Sequence, residues 1–556
     1  MNAWRGYPVP AQRHEAPSPD RIVRAFVARP ASVHAMLAQA VAKRPAHEAL
    51  VCGEQRLSYT ELDAHAGRIA AGLAARGIGR GDRAALLISN RPEFVCALFA
   101  LQRLGAIAVP IGVREARAGL VYMLNQCTAK AVLFDAELAD KVPGAAEVTS
   151  LTLRVGVGAG AAAIANAVAL DDVAAHGAPV PEPAAVAEGD TAVILYTSGT
   201  TGHPKGAMLT HFNLAHSVLH YQACMRLNDA DRSALAVPAS HVTGLVAIIL
   251  AMVHVGGTVV MVPAFKATDF LRLLEMERIT HTLMVPAMYT LCLMDSAFPE
   301  GADAPGRPRA GRDLTRWRVG GYGGAPMPVA TIDELARRVP GLTLINAYGA
   351  TETTSPATMM PAGETRDHAD TVGVALPCTD IRVMNDAGRE VPPGEMGELW
   401  IGGPMVVPGY WDNEAATRAS FTAGYWHSGD LGSMDANGYV RIFDRKKDML
   451  NRGGFKVYSV EVENTLMALP GVVEAAIVGR PCPVLGERVH AFVHAPGTAH
   501  DDAALRAHCA ARLADYKVPE TITWCEAPLP RNANGKLIKR ALRERLAAET
   551  TPSSSG

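Results

Sequence analysis

Leu195-Tyr-Thr-Ser-Gly-Thr-Thr-Gly-His-Pro-Lys-Gly206 sets three glycines and four small hydroxyl residues within twelve positions, with one lysine at their end. An apolar run, residues 192–196, precedes it, and a helical pattern begins near His211. Backbone N–H groups and hydroxyls in such a loop can close tightly around phosphate oxygens, and Lys205 supplies positive charge. Thr197, Ser198, Gly199, Thr200, Thr201, Gly202 and Lys205 are therefore candidates for holding a polyphosphate. The spacing is not that of a P-loop, which needs Gly-x4-Gly-Lys-Ser/Thr. Here two residues separate Gly202 from Lys205.

Outward from this loop, strand-length apolar runs alternate with helical patterns. Residues 84–88, 107–109, 131–134, 192–196, 258–262, 283–285 and 342–346 read as short buried strands. Residues 59–76, 92–103, 211–223 and 330–338 read as helices between them. That alternation predicts an α/β fold: a large N-terminal domain, residues 1–444, of αβ-layered sheets with largely parallel strands. From about Trp400, shorter strands with Gly and Asp turns suggest a β-barrel-like subdomain. After the charged segment Asp444-Arg-Lys-Lys-Asp448 the pattern changes to a compact α+β domain, residues 445–549, joined through a hinge. Residues 550–556 read as a disordered tail. The Ala/Gly-rich residues 155–169 read as a surface loop and helix.

With 556 residues the chain exceeds one core. Its net charge of −2 provides no global field for nucleic acid or an anionic membrane. Nine cysteines stand singly, without a CxxC pair, which argues against a disulfide framework or zinc cluster and for a reducing compartment. Residues 245–262 are apolar but broken by His254 and Gly256-Gly257, which fits a buried helix, a turn and a buried strand. No signal peptide is evident in residues 1–19. The expectation is a cytoplasmic protein without a membrane span or nucleic-acid partner; a homodimer is left open.

The glycine/threonine loop resembles the phosphate loop of the adenylate-forming superfamily, which includes acyl-CoA synthetases, luciferases and peptide-synthetase adenylation domains. Further motifs follow in that family's order: Pro238-Ala-Ser-His-Val-Thr-Gly244, Tyr322-Gly-Gly-Ala-Pro-Met327, Asn346-Ala-Tyr-Gly-Ala-Thr-Glu352, Tyr425-Trp-His-Ser-Gly-Asp430, Asp444–Asp448 and Pro530-Arg-Asn-Ala-Asn-Gly-Lys536. The resemblance implies an ATP-dependent carboxylate–CoA ligase that forms AMP, using ATP, Mg2+ and coenzyme A on a small carboxylic acid. It places the β- and γ-phosphates on Ser198, Thr200, Thr201 and Lys205, Mg2+ on Glu352 and the α-phosphate on Thr351. Adenine would stack on Tyr348, beside Gly323, Gly324, Ala325 and Gly349. Asp430 and Arg445 would hold the ribose. Lys536 would bridge the substrate carboxylate and α-phosphate, and Lys447 would be the hinge. Gly453 and Gly454 would line the path of the pantetheine arm.

The same resemblance puts the acyl group against His241, Val242, Thr243, Gly244, Leu283, Gly323, Ala347, Gly349, Thr354 and Ser355, with His241 as gate toward the thiol. None of these except His241 can carry charge, which suits an uncharged fatty or aryl tail. Peptide-synthetase domains usually place an Asp near the pocket motif to hold an amino group; residues 240–244 offer none. An acyl-AMP ligase that loads a carrier protein and a non-catalytic nucleotide sensor stay open as alternatives.

Overall fold

A computed structural model of the chain describes residues 3–19, 21–197, 203–300, 311–531 and 537–550. The chain forms two compact units, Met1–Ile381 with Trp400–His427, and Arg382–Leu399 with Ser428–Gly556. In the first unit lie a seven-stranded and a nine-stranded sheet. The central strands of both run parallel, with antiparallel pairs toward the edges. Their sequences are apolar on both faces because helices cover both sides; Ala84 to Leu87 and Val259 to Val260 are wholly buried.

Local chemistry starts these helices. Ser58 and Glu61 form a capping box at Tyr59–Ala74, and Thr210 with Asn213 does the same at His211–Cys224. Pro92 opens Pro92–Arg103 from its first turn. The apolar stretch after His241 becomes a π-helix, Thr243–Leu250, continued by Ala251–Val255 and stopped by Gly256 in the left-handed region. The buried strand Thr258–Met261 follows. Among the described residues no helix is long and apolar enough to cross a membrane.

One local reading changes, and two hairpins include strands that the sequence reading did not name. Lys205–Thr210 is a strand, antiparallel to Thr191–Thr197, and it leads into the helix His211–Cys224 that was expected near His211. The segment expected as loop and helix holds the strand Leu153–Val157, a short turn and the two-residue strand Val168–Ala169. Val155 and Val157 are buried in the seven-stranded sheet, a burial the surrounding Ala/Gly composition hides. The polar N-terminal segment forms a hairpin, Gln12–Ser18 with Arg21–Phe26.

The second unit is α+β. Glu474–Cys482 and Gly486–His494 make a long antiparallel hairpin, and Thr521–Trp524 lies parallel to its second strand. Leu450–Arg452 and Phe455–Val457 form a smaller hairpin. Two helices, Ser459–Met467 and Asp502–Ala510, share a core with these strands through Val462, Leu466, Leu505 and Ile477. The line between the units falls within the strands Gly397–Gly402 and Tyr425–Met434.

Candidate active site

Four neighbouring parallel strands of the nine-stranded sheet set the site: Thr343–Tyr348, Val319–Tyr322, His281–Met284 and Arg232–Leu235. Open α/β sheets bind ligands beyond the carboxyl ends of their strands. The sequence-predicted residues gather at those ends. Leu283 is the last residue but one of its strand; Gly323, Gly324 and Ala325 follow the next; Ala347 and Tyr348 end the third. His241, Val242, Thr243 and Gly244 come just after the fourth.

Two glycines are required by close approach. A Cβ on Gly323 would lie 2.3 Å from the Ala347 carbonyl oxygen, and one on Gly244 would lie 2.2 Å from that of Pro238. His241 Nδ1 accepts from the Thr243 N–H at 3.3 Å and meets Thr243 Oγ1 at 3.2 Å, which fixes the ring. Tyr348 is half-buried and packs beside Ala357, Ile401, Met405 and Val406, so its ring is held on an apolar base.

Beyond Tyr348, Gly349 leads into a short turn, Thr351–Thr353, that carries Glu352. This carboxylate is buried, and its Oε1 accepts from Tyr410 Oη at 2.9 Å and Thr197 Oγ1 at 3.4 Å. Thr197 and Lys205 face one another across the hairpin that carries the phosphate loop. Lys205 Nζ sits 4.9 Å from the centre of the Tyr410 ring, a cation–π distance. The loop-bearing hairpin and the strand end bearing Glu352 thus meet around Tyr410, a residue the sequence reading missed. Its Gly409-Tyr410-Trp411 segment lies 58 residues after Glu352, and nothing local to it signals a partner. The segment is anchored by backbone bonds, from the Trp411 N–H to the Gly206 carbonyl at 2.7 Å and from the Met208 N–H to that of Gly409 at 3.1 Å. Burial and the neighbouring Glu352 carboxylate push the Tyr410 phenol well above its usual range, so it stays a donor.

Glu352 suits Mg2+ chemically: a buried anion whose described partners are neutral hydroxyls is completed by a cation. Among the described residues no cluster of three acidic, His or Cys side chains could hold a metal alone. One carboxylate plus substrate phosphates is the usual way Mg2+ is bound.

In the second unit Asp430 and Arg445 stand directly opposite on paired strands, with Arg445 Nε 2.6 Å from Asp430 Oδ1. Ser428 Oγ accepts from the Asp430 N–H at 3.0 Å. Lys447 is exposed, in the charged segment that follows Arg445. Gly453 and Gly454, both at positive φ, turn the small hairpin. Asp444 is buried and accepts from both the N–H and Oγ of Ser459. Ser198, Gly199, Thr200, Thr201, Gly202 and Lys536 lie outside the described residues.

Residues 37–411 match the family model described as AMP-binding enzyme, and residues 461–536 match the AMP-binding enzyme C-terminal domain. The chain belongs to the AMP-binding enzyme family. This makes it an adenylate-forming enzyme of the acyl-CoA synthetase kind, as the motif order implied. A feruloyl-CoA synthase of an Amycolatopsis species is 35% identical over 494 residues, covering 89% of this chain and 94% of that protein. A long-chain-fatty-acid–CoA ligase of Mycobacterium tuberculosis is 33% identical over 496 residues, with the same coverage of 89% and 94%. Among solved structures, o-succinylbenzoate CoA synthetase from Bacillus subtilis, in complex with its acyl-adenylate intermediate, superposes with a TM-score of 0.80. It shares 29% identity and covers 91% of this chain and 97% of its own.

Proposed function

We propose that this enzyme joins an uncharged-tail fatty or aryl acid to coenzyme A through an acyl-adenylate. It is an ATP-dependent, AMP-forming acid–thiol ligase. In the first step a carboxylate oxygen of the acid attacks the α-phosphorus of ATP and pyrophosphate leaves. In the second the thiol sulfur of CoA, having lost its proton, attacks the acyl carbon, and AMP departs with the former carboxylate oxygen.

The observation that carries this reading is Glu352, a buried carboxylate satisfied by hydroxyls and placed beside the base of the phosphate loop. Bringing two anions together demands compensating positive charge and fixed donors. Mg2+ held by Glu352 would neutralise phosphate charge. Lys205, Ser198, Thr200 and Thr201 bind the β- and γ-phosphates, and Thr351 the α-phosphate. Tyr348 stacks on adenine, and Asp430 with Arg445 binds ribose. Val242, Thr243, Leu283, Ala347, Thr354 and Ser355 enclose the tail, and His241 gates it toward the thiol. Lys536 bridges the two reacting anions. Lys447 is the pivot at which residues 445–549 turn between the two steps, the second of which uses Gly453 and Gly454. We place the enzyme in the cytoplasm, where CoA is available and cysteines stay reduced; sedimentation distinguishes monomer from homodimer.

Purified protein given ATP, Mg2+, CoA and a panel of fatty and aryl acids should release AMP and pyrophosphate and form thioester. Release of ADP and phosphate would reject the mechanism, and adenylation without CoA thioester would redirect it to a carrier-protein acceptor. Lys536→Ala should slow adenylation ~100- to 1000-fold while ATP still binds; unchanged turnover would remove Lys536 from its role.

A further inference from the structure

The helix Arg117–Gln126 carries none of the motifs, yet two of its residues grip the hairpin that bears Lys205. Gln126 Oε1 accepts from Tyr196 Oη at 2.5 Å, and its Nε2 donates to the Trp411 carbonyl at 2.7 Å. A carbonyl can only accept, so the amide has one orientation, with both ends engaged. Tyr196 and Trp411 meet again at Gly206. Tyr196 stands opposite Gly206 in the strand pairing, and the Trp411 N–H donates to the Gly206 carbonyl at 2.7 Å. Gln126, Tyr196, Gly206 and Trp411 thus form a closed ring, and Lys205 is the next residue along the chain from Gly206.

Further contacts hold the same assembly. One turn before Gln126, Tyr122 stacks on His203, two residues ahead of Lys205, with ring centres 4.7 Å apart and planes 20° from parallel. The Arg83 guanidinium lies 5.6 Å from the centre of the Trp411 ring, and its Nε donates to the Cys127 carbonyl at the end of the helix, at 2.7 Å. Tyr122, Tyr196 and Trp411 pack on the apolar core of the seven-stranded sheet. A lysine is a point charge on a flexible stem, so the place of its backbone decides where that charge falls. A shift of about 1 Å at such a group can cost ~100-fold in rate.

We propose that Gln126 is a positioning residue for adenylation: it sets Lys205 through Tyr196 and Trp411 and has no part in thiol transfer. This rests on the acid–CoA ligase reading, in which Lys205 binds the β- and γ-phosphates; these leave as pyrophosphate before the thiol attacks. A residue that acts through Lys205 touches only the first step, whereas one that merely supports the fold touches both.

The test uses the full-length enzyme and the acid that releases most AMP in the panel above. ATP–pyrophosphate exchange reads the first step. Thioester formation from CoA and the supplied acyl-adenylate of that acid reads the second. Gln126→Met keeps the length of the side chain and removes both hydrogen bonds. It should lower kcat/KM for ATP in exchange ~10- to 100-fold, the effect of two neutral hydrogen bonds. Thioester formation should stay within ~2-fold of wild type, and in a Lys205→Met background Gln126→Met should cost under ~3-fold more, because the two act as one unit. Equal losses in both steps overturn the proposal, as do losses that multiply with those of Lys205→Met, or an exchange rate that Gln126→Met leaves unchanged. Should Gln126→Met fail to fold, Tyr196→Phe, which removes the hydroxyl that Gln126 accepts from, must show the same split at ~3- to 10-fold. Wild-type enzyme that releases no AMP with any acid strikes the ligase reading. Wild type that adenylates beside a variant without the split strikes this proposal alone.

Discussion

Glu352 in the first unit and Asp430 in the second are carboxylates of similar burial, 7% and 4% exposed, yet they are satisfied in opposite ways. Asp430 has a guanidinium at 2.6 Å from the facing strand. Glu352 has two hydroxyls and, among the described residues, no cation in bonding range. A buried anion left to neutral donors is an incomplete charge, and on the proposed reading a divalent ion carried in with nucleotide would complete it. A buried anion already paired is a fixed hydrogen-bonding post, ready for neutral hydroxyls. At similar burial, the partner alone would thus separate the metal-binding role proposed for Glu352 from the sugar-binding role proposed for Asp430.

The largest expected effect breaks the first half of this comparison. Glu352→Gln keeps the shape and removes the charge, so adenylation should fall ~100- to 1000-fold and Mg2+ should be needed at higher concentration. A rate titrated against Mg2+ checks both, and an unchanged titration would make Glu352 a structural group. Asp430→Asn should act mainly on nucleotide affinity, raising KM for ATP ~10- to 100-fold with a smaller change in kcat. A collapse of kcat with KM unmoved would reverse the two roles.

The two units also titrate in opposite senses. In the first, His216 Nε2 accepts from the Phe26 N–H and its Nδ1 donates to the Phe212 carbonyl, while His211 Nδ1 accepts from the Val33 N–H. Burial lowers both rings to about 4, well below the ordinary histidine value. The unfolded chain therefore takes up protons below about pH 6.5 that the folded one refuses, and stability falls as pH drops from there toward 4. Each of these histidines should cost ~2 kcal/mol by pH 5. In the second unit burial raises Asp444 and Glu463, so these take protons more readily folded than unfolded. Mild acid relieves their cost instead. Hydrogen exchange at pH 5 and 7, corrected for intrinsic rates, should show protection lost at residues 12–33 and 211–224 more than at 459–494. Equal losses would contradict the assignment. The smallest effect belongs to Tyr410→Phe: it removes one hydrogen bond to Glu352 and keeps the ring under Lys205. A fall in kcat of ~10-fold or less should result, read from steady-state rates.

What the sequence disclosed follows the range of the signals. Strands covered on both faces announce themselves as apolar runs, and the site's glycines and acids stand in contiguous motifs. The strand Lys205–Thr210 escaped because a loop rich in small residues leads into it without an apolar boundary. Leu153–Val157 escaped inside an alanine-rich stretch. The N-terminal hairpin escaped because its strands are largely polar and exposed. Tyr410 escaped for a different reason: its meaning lies in Glu352 and Lys205, and only the fold joins them.

The central claim is that an oxygen of the acid attacks the α-phosphorus of ATP. A carboxylic acid labelled with 18O in both carboxyl oxygens, turned over with ATP, Mg2+ and CoA, tests it directly. Mass spectrometry should find one 18O in the AMP released and none in pyrophosphate. Label in inorganic phosphate together with ADP, or unlabelled AMP alongside thioester, would contradict it.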